Sequence, residues 1–217
     1  MKPARLIQCA SILAGLSVMA GCKTAPPYDY TAFQQHPPRS ILVLPPINES
    51  TAVEGTFGYL STVSRPLAER GYYVFPVDVV DRLMRDNGLP GAGEMHEVPL
   101  EKLREVTGAD SVLYLVLHSY GSKFQVLSSN TTVKVSGRLI DSRSGTLLWE
   151  GTGNAQQGTG GSGNLLGDLV AAAVTQVVNS KTDPAHQVSR LANAQLFGTP
   201  KRELPKGPLV PLDFTKK

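Results

Sequence analysis

The sequence predicts a mixed α/β domain in which helices cover a mixed β-sheet. Short apolar runs at residues 41–44 and 72–75 are each followed by a helical pattern, which is typical of strand–helix units with parallel strands. A continuous apolar run at 111–117 predicts a central strand buried on both faces. Residues 131–140 then alternate between apolar and polar, and 146–151 return as an antiparallel hairpin partner. We therefore expect three layers, with helices above and below the sheet.

The helices are predicted from apolar residues that recur every three or four positions and from residues typical of helix ends. Proline removes a helical hydrogen bond, so we expect the first helix to be kinked or split at Pro66. The periodicity places Val79 and Val106 on buried helix sides, and the glycine-rich residues 88–98 predict a loop. The predicted helices cover residues 54–70, 78–87, 99–107 and 164–178, and a last helix starts at residue 183.

The N-terminus has the pattern of an export signal. A positively charged start precedes an apolar run at residues 6–20, which is shorter than the ~20 residues of a membrane-spanning helix. The run ends in Ala20-Gly21-Cys22, which resembles a bacterial lipobox. That resemblance implies cleavage between Gly21 and Cys22, a diacylglycerol on the Cys22 thiol and acylation of the new amine. Residues 1–21 are therefore predicted to be a lipoprotein signal peptide.

The cysteine usage extends this prediction. Cys9 leaves with the signal peptide and Cys22 becomes a thioether, so the mature chain has no thiol for a disulfide, for catalysis or for a cysteine metal site. Three acyl chains, palmitate among the usual ones, exceed what stable anchoring requires. Lys23 implies the outer membrane by the sorting rule of enteric lipoproteins. We expect the protein to face the periplasm, with the cell surface as the alternative.

The mature chain divides into a tether, one domain and a tail. Residues 22–39 hold the lipidated cysteine and a proline-rich run without apolar periodicity, which predicts a tether. Residues 40–198 form a single domain, and residues 199–217 predict an extended tail whose removal leaves that domain folded. Cleavage removes two of the 21 basic residues and leaves 19 against 18 acidic ones. This charge is too balanced to indicate nucleic-acid binding.

A glycine-rich motif suggests nucleotide chemistry that its surroundings contradict. Residues 158–163 match the pattern G-x-G-x-x-G between a strand and a helix. A dinucleotide site needs a parallel strand after that helix, and residues 179–190 contain none. Asn164 stands where a phosphate-binding P-loop has lysine. We therefore expect a linker here and no nucleotide or other cofactor.

The histidines also fail to form a catalytic or metal-binding pattern. Glu94, His96 and Glu97 are close in sequence, but Leu100 replaces the second histidine of a zinc-protease helix, so solvated loop charges are favoured. His118 follows the central strand and is predicted to be a hydrogen-bonded residue at the edge of the core. We expect no catalytic residues, no metal and no enzymatic activity.

Several segments resemble one group of bacterial domains. Residues 41–50 resemble the opening strand of TolB amino-terminal domains and CsgG-type lipoproteins, although Pro46 replaces the phenylalanine of that pattern. Residues 108–113 and the hairpin at 137–149 resemble the later strands of the same domains. Together with the lipobox, residues 65–76 look like an uncharacterised family of bacterial lipoproteins, some of which have been studied as surface vaccine antigens. The resemblance implies a fold like the TolB amino-terminal domain.

The resemblance also implies a function. The implied function is that of an outer-membrane lipoprotein, which forms a homodimer and assists a secretion or cell-envelope complex through protein contacts. Besides the bilayer that holds Cys22, its partner would be an envelope or secretion protein. Two alternatives stay open: an LpoB-like activator of a peptidoglycan synthase and, less favoured, a CsgG-like secretion pore subunit.

The proline-rich tail is the first candidate for partner binding, because polyproline segments dock at low entropic cost. The alternative for the tail is that it packs over its own domain and buries its apolar residues. Loop 88–98 is the second candidate. The candidate partner-binding residues of the tail are Pro205, Pro208, Leu209, Val210, Pro211 and Leu212.

Overall fold

A mixed sheet with helices on both faces forms the protein, as the sequence predicts. The computed structural model describes residues 27–125, 128–158 and 184–209 of the 217-residue chain. The seven strands of this part are β1 (Ser40–Val43), β2 (Ile47–Asn48), β3 (Tyr73–Val74), β4 (Ser111–Ser119), β5 (Ser122–Gln125), β6 (Ser128–Asp141) and β7 (Leu147–Gly158). Its helices are α1 (Thr31–Gln35), α2 (Gly55–Glu69), α3 (Val77–Asp86), α4 (Ala92–His96), α5 (Leu100–Thr107) and α6 (Pro184–Gly198).

The strand order confirms the predicted central strand and hairpin. β1 pairs in parallel with β3 on one side and with β4 on the other. β4 then pairs antiparallel with β6, and β6 pairs antiparallel with β7. β2 continues the line of β1 along β4, and β5 continues the line of β4 along β6. We call the end of the domain where β1, β3 and β4 begin and β6 ends the basal end.

The larger core lies between one face of the sheet and helices α2 and α6. Side chains alternate along a strand, so every second residue of β4 points to this face. α6 contributes Val188, Ala192 and Leu196 at helical spacing, and the Trp149 and Phe197 rings lie 5.8 Å apart. The buried residues from β4 and α2 are Leu113, Leu115, Leu117, Tyr59, Leu60, Val63 and Leu67.

The opposite face is only half covered. Leu42, Leu44 and Val112 pack there against α3, α4 and α5, whose buried side chains include Met84 and Leu103. These helices cover the parallel half of the sheet. On β6 and β7 the same face is exposed and carries polar residues such as Lys134, Arg138, Thr152 and Asn154.

Pro66 does not split its helix, because a side chain replaces the hydrogen bond that proline removes. α2 runs continuously from Gly55 to Glu69 with Pro66 inside it. Proline has no N–H to donate to the carbonyl four residues earlier, which belongs to Thr62. Asn193 of α6 donates to that carbonyl at 3.1 Å and to the Thr62 hydroxyl at 2.8 Å, and the Tyr59 hydroxyl donates to the Asn193 side-chain oxygen. The predicted split of the helix at Pro66 is therefore wrong.

Glycines let α6 approach the edge strand β7 closely. A Cβ at Gly153 would lie 2.1 Å from the carbonyl oxygen of Ala192, and one at Gly151 would lie 2.9 Å from that of Leu196. Real Cβ atoms do not approach backbone oxygens this closely, so the helix can occupy its position only while both residues lack side chains. This packing holds α6 (Pro184–Gly198) against the edge of the sheet.

Both predicted domain boundaries differ from the structure. The tether was predicted to reach residue 39, but residues 31–35 form α1, which buries the Phe33 side chain in the larger core. The tail was predicted to leave at residue 199, but Leu204 is 1% exposed. The folded unit is therefore longer at both ends, because apolar residues in these proline-rich segments reach the core.

The segment 88–98, predicted to be a loop, is part of the core on the opposite face of the sheet. It contains the short helix α4, whose Met95 is fully buried, so it is not an open loop. The predicted helix at 164–178 lies outside the described residues. Val79 and Val106, predicted to be buried, are 58% and 62% exposed.

Candidate functional site at the chain ends

The structure brings the two ends of the described chain together at the basal end. We call residues 27–36 the N-terminal segment and residues 199–209 the C-terminal segment. Of the residues predicted to have a function, Pro205, Pro208 and Leu209 lie in the C-terminal segment. Those outside the described residues are Gly21, Cys22, Val210, Pro211 and Leu212.

The backbone of the C-terminal segment is hydrogen-bonded to the domain. Leu204 donates its N–H to the carbonyl of Phe197 at 2.9 Å, and Gly207 donates to that of Arg70 at 2.8 Å. The N–H of Leu209 bonds to the carbonyl of Gly71 at 2.9 Å. A Cβ at Gly207 would lie 2.4 Å from that same oxygen of Gly71, so only glycine fits this approach.

Three side chains satisfy carbonyl groups of the same segment. The Trp149 indole donates to the carbonyl of Arg202 at 3.0 Å, and the Arg70 guanidinium donates to that of Leu204 at 2.6 Å. The Tyr72 hydroxyl donates to the carbonyl of Pro205 at 2.6 Å, and burial raises the pKa of this hydroxyl. Proline has no backbone N–H, so a proline-rich segment cannot form all the hydrogen bonds of a strand pair. Here side chains donate to its carbonyl groups instead.

The N-terminal segment is joined to both the sheet and the C-terminal segment by two tyrosines. The Glu150 N–H of β7 donates to the Tyr28 hydroxyl at 2.9 Å, and the Tyr30 hydroxyl donates to the carbonyl of Glu203 at 2.7 Å. The rings of the two tyrosines lie 4.8 Å apart. The Arg202 guanidinium lies 5.1 Å from the centre of the Tyr28 ring and 3.2 Å from a Glu150 carboxylate oxygen. Burial raises the pKa of Tyr28.

These contacts also protect the edge of the sheet. β7 pairs with β6 on one side, which leaves N–H groups on its other side without a strand partner. Tyr28 takes the N–H of Glu150, and the Gln195 side chain takes the N–H of Asn154 at 3.0 Å. Free strand edges pair with other strands and promote aggregation, and capped ones do not.

The outward side of the C-terminal segment combines apolar and basic side chains. Leu209 is 49% exposed and Tyr73, on the neighbouring β3, is 51% exposed. Lys201, Lys206 and Pro208 are also exposed. The segment thus packs on its own domain through its backbone and Leu204, while Leu209 stays available. Partner binding by these residues stays a prediction.

Comparison with known proteins identifies the family. The family model described as "Putative lipoprotein GNA1162-like" matches residues 28–209. The chain belongs to the GNA1162-like family. The match begins at Tyr28 and ends at Leu209, so the family includes both terminal segments of the folded unit. Membership of a lipoprotein family implies a membrane-anchored protein.

Individual GNA1162-like proteins are similar to this chain over most of its length. "Putative lipoprotein NMB1124/NMB1162" from Neisseria meningitidis serogroup B (strain ATCC BAA-335 / MC58) is 45% identical over 188 residues, which cover 85% of this chain and 87% of the relative. The crystal structure of lipoprotein GNA1162 from Neisseria meningitidis is 46% identical with a TM-score of 0.55, covering 66% of this chain and all of that one. A PelC dodecamer from Paraburkholderia phytofirmans is 13% identical with a TM-score of 0.48, covering 84% of this chain and 96% of that one.

One cluster of this GNA1162-like chain has residue types found in hydrolases. His118, at the end of β4, bonds through Nδ1 to Glu49 at 2.6 Å and through Nε2 to the Ser136 hydroxyl at 2.9 Å. The cluster lies on the open face of the sheet, and Ser136 stands within the β6 ladder between Val116 and Thr152. A hydrolase site also needs a cleft and donors for a developing oxyanion, whereas Ser136 lies in the middle of a strand that is paired on both edges.

The loop histidine is also part of the packing. His96 Nε2 bonds to the carbonyl of Pro45 at 2.9 Å, and its ring meets the Tyr114 ring edge-on at 5.2 Å. Burial lowers the pKa of His96. Within residues 27–125, 128–158 and 184–209, no three or more His, Cys, Asp or Glu side chains come together as a metal site. In the same ranges, no helix combines the length and apolar character needed to cross a bilayer.

A groove of about 270 Å³ lies between α2 and α6. Several of its polar side chains already have partners, since Arg65 pairs with Glu69 at 2.7 Å and Asn193 bonds to Thr62. The groove is lined by Ser61, Thr62, Arg65, Pro66, Glu69, Arg190, Asn193 and Ala194. The chain ends therefore remain the candidate functional site with the most distinctive construction.

Proposed function

We propose that this protein is an outer-membrane-anchored lipoprotein that acts as a non-enzymatic accessory subunit of a secretion or cell-envelope complex. It faces the periplasm, works through protein–protein contacts and forms a homodimer. The observation that carries the proposal is the attachment of the N-terminal segment to the domain, because it leaves very little chain between the domain and the lipidated Cys22. Family membership supports the anchor.

The short connection supports a role at the membrane surface. Tyr28 bonds to β7, and six residue steps separate it from Cys22. A fully extended chain covers about 3.3–3.6 Å per residue, so this point of the domain lies within about 22 Å of the anchor. Its partners are then proteins in the membrane or immediately beside it.

The short connection also argues against the LpoB-like alternative. An activator that reaches a synthase through the cell wall must cross roughly 100 Å, and this needs about 30 extended residues. The tether predicted from the sequence ended at residue 39, and the folded N-terminal segment shortens it further. An accessory role near the outer membrane is therefore preferred.

The position of β6 and β7 argues against a pore. A pore hairpin must expose one apolar face to lipid. In this protein the apolar face of β6, which carries Val133, Val135 and Leu139, is buried under the helices. β6 is also paired on both edges, so the hairpin is an integral part of the sheet.

The non-enzymatic part of the proposal rests on the polar clusters. The His118, His96 and Asn193 side chains each use their polar atoms on neighbours within the fold. A purified protein that turns over an envelope substrate would contradict this part of the proposal.

The test combines fractionation with photo-crosslinking in living cells. Cys22→Ala is expected to release the protein from membranes, and sedimentation of this variant with membranes contradicts the lipid anchor. A photo-crosslinking residue is then placed at Leu209, and Val53, 89% exposed at the opposite end, is the matched control. A specific envelope protein captured from 209 and not from 53 supports the accessory role. Capture of the same proteins from both positions contradicts partner binding by the tail.

A further inference from the structure

We infer that the basal end of the domain, with its C-terminal segment, rests on the phospholipid headgroups of the membrane that holds the anchor. The inference rests on the proposed lipidation of Cys22 and extends it, since an anchor alone does not orient a domain. Four features support it: the point where the chain enters the fold, the unpaired lysines, the backbone conformation of Lys201 and the exposed apolar side chains.

The chain enters the fold at the basal end. Tyr28 is fixed to β7 at Glu150, only three residues after that strand begins at Leu147. With at most about 22 Å of chain between Cys22 and Tyr28, this end cannot move far from the bilayer. The opposite end lies beyond the nine residues of β4, roughly 27 Å further away.

The basal end also carries cations without protein partners. Lys201 and Lys206 are exposed, and neither joins an ion pair within the described part of the chain. Of the acidic residues at this end, Glu150 is paired with Arg202 and Asp110 with Arg143. Asp29 and Asp141 accept backbone N–H groups and keep their charge. The carboxylate of Glu203 is exposed. Lysines close to a bilayer surface are attracted by anionic headgroups.

Lys201 occupies a backbone conformation that suits glycine better. Its φ is 67°, and it is the one non-glycine residue with positive φ among those described. The conformation forms the turn after α6, in which the Arg202 N–H bonds to the carbonyl of Thr199 at 3.0 Å. Glycine would adopt this turn without steric cost. A lysine at such a position indicates a use for its side chain, which is exposed.

The exposed apolar side chains complete a surface typical of a membrane interface. Tyr73 and Leu209 are each about half exposed, beside the Gly71 carbonyl to which Leu209 bonds. Tyrosine, leucine and lysine together favour the boundary between headgroups and acyl chains. Leu209 lies at the β3 side of this surface, where it can also meet a partner in the same membrane.

The test measures the orientation of the lipidated protein on vesicles of phosphatidylethanolamine and phosphatidylglycerol. The mature chain has no free thiol, so a single cysteine can be introduced and labelled. Pro208→Cys places a fluorophore at the basal end, and Val53→Cys places one at the opposite end. Energy transfer to a headgroup acceptor is expected to be several-fold stronger from residue 208. Equal transfer from both positions overturns the inference, whereas failure of the lipidated protein to stay on the vesicles overturns the proposed anchor instead.

Charge variants test the role of the lysines. Lys201→Glu with Lys206→Glu is expected to lower energy transfer from residue 208 at least two-fold, and high salt should have the same effect. Lys134→Glu on the open sheet face is the matched control and should change nothing, as Lys134 is also exposed. A third variant, Lys201→Gly, should lower transfer while its melting temperature stays the same or rises. Unchanged transfer in both basal variants overturns the inference.

Discussion

At the residue scale, Asn193 joins two helices that would otherwise leave polar groups unpaired. It is 1% exposed and bonds to the Thr62 carbonyl, the Thr62 hydroxyl and the Tyr59 hydroxyl. Asn193→Ala should lower the free energy of unfolding by about 2–4 kcal/mol, since each buried polar group left without a partner costs about 1–3 kcal/mol. Urea unfolding of the variant measures this change.

Pro66 provides a specific control for that prediction. In Pro66→Ala the new N–H can bond to the Thr62 carbonyl, so this carbonyl no longer depends on Asn193. The loss in the free energy of unfolding caused by Asn193→Ala should then be about 1 kcal/mol smaller in the Pro66→Ala background than in the original chain. An equal cost in both backgrounds would show that the amide does not compensate for the proline.

His96 makes stability depend on pH. Burial lowers the pKa of His96 in the folded protein, so the unfolded chain binds the proton more readily. The free energy of unfolding therefore falls as pH drops below the unfolded value of about 6.5, and it continues to fall until His96 is protonated in the folded state. Urea midpoints measured between pH 8 and pH 5 should show this fall, and His96→Gln should flatten it. If the urea midpoint of the His96→Gln variant still falls with pH to the same extent, another group causes the effect.

At the element scale, the contact between α6 and β7 depends on the absence of a side chain. Gly153→Ala should lower the free energy of unfolding by about 1–3 kcal/mol, because the added methyl group would overlap the Ala192 carbonyl and force α6 away. Gly93→Ala is the matched control, since nothing lies within 4 Å of the added atom and alanine favours the helix. In thermal unfolding, Gly153→Ala should lower the melting temperature and Gly93→Ala should raise it.

An element can be predicted when the residues that determine it lie close together in the sequence. The apolar run that becomes β4 and the alternation that becomes β6 were correctly predicted, because strand patterns are contained in a few consecutive residues. The predicted split at Pro66 was wrong because the free Thr62 carbonyl is bonded by Asn193, which lies 131 positions after Thr62. Phe57 follows the helical apolar spacing of α2 yet is 52% exposed, with the Arg85 guanidinium 5.5 Å from its ring centre.

The candidate site could be predicted only in part for the same reason. The C-terminal segment was identified from its composition, but its attachment depends on contacts such as Tyr72 to Pro205, 133 positions apart. Tyr28 bonds to Glu150 across 122 positions. Periodicity does not report such distant pairs, so the sequence could not show that the chain ends fold together.

At the scale of the whole molecule, the C-terminal segment belongs to the folded unit. Removal of residues 199–217, expected from the sequence to leave a folded domain, should lower the free energy of unfolding by at least about 2 kcal/mol, because the buried Leu204 is lost. Leu204→Ala should account for most of this loss, and Leu209→Ala, at an exposed position, should stay within about 0.5 kcal/mol of the original chain. Urea unfolding that shows an unchanged midpoint for the truncated chain would contradict this view.

The attachment of Tyr28 to β7 also determines how the protein carries mechanical load. A long linker would absorb a pull between an anchor and a bound partner by extending, but with the proposed lipid on Cys22 the six residue steps to Tyr28 would leave almost no slack. The load would then pass to the Tyr28 and Tyr30 hydrogen bonds and from them to the edge strand and the C-terminal segment. A partner that pulled on the domain would pull on the membrane almost directly, and the hydrogen bonds of the two tyrosines would be the first to bear the force.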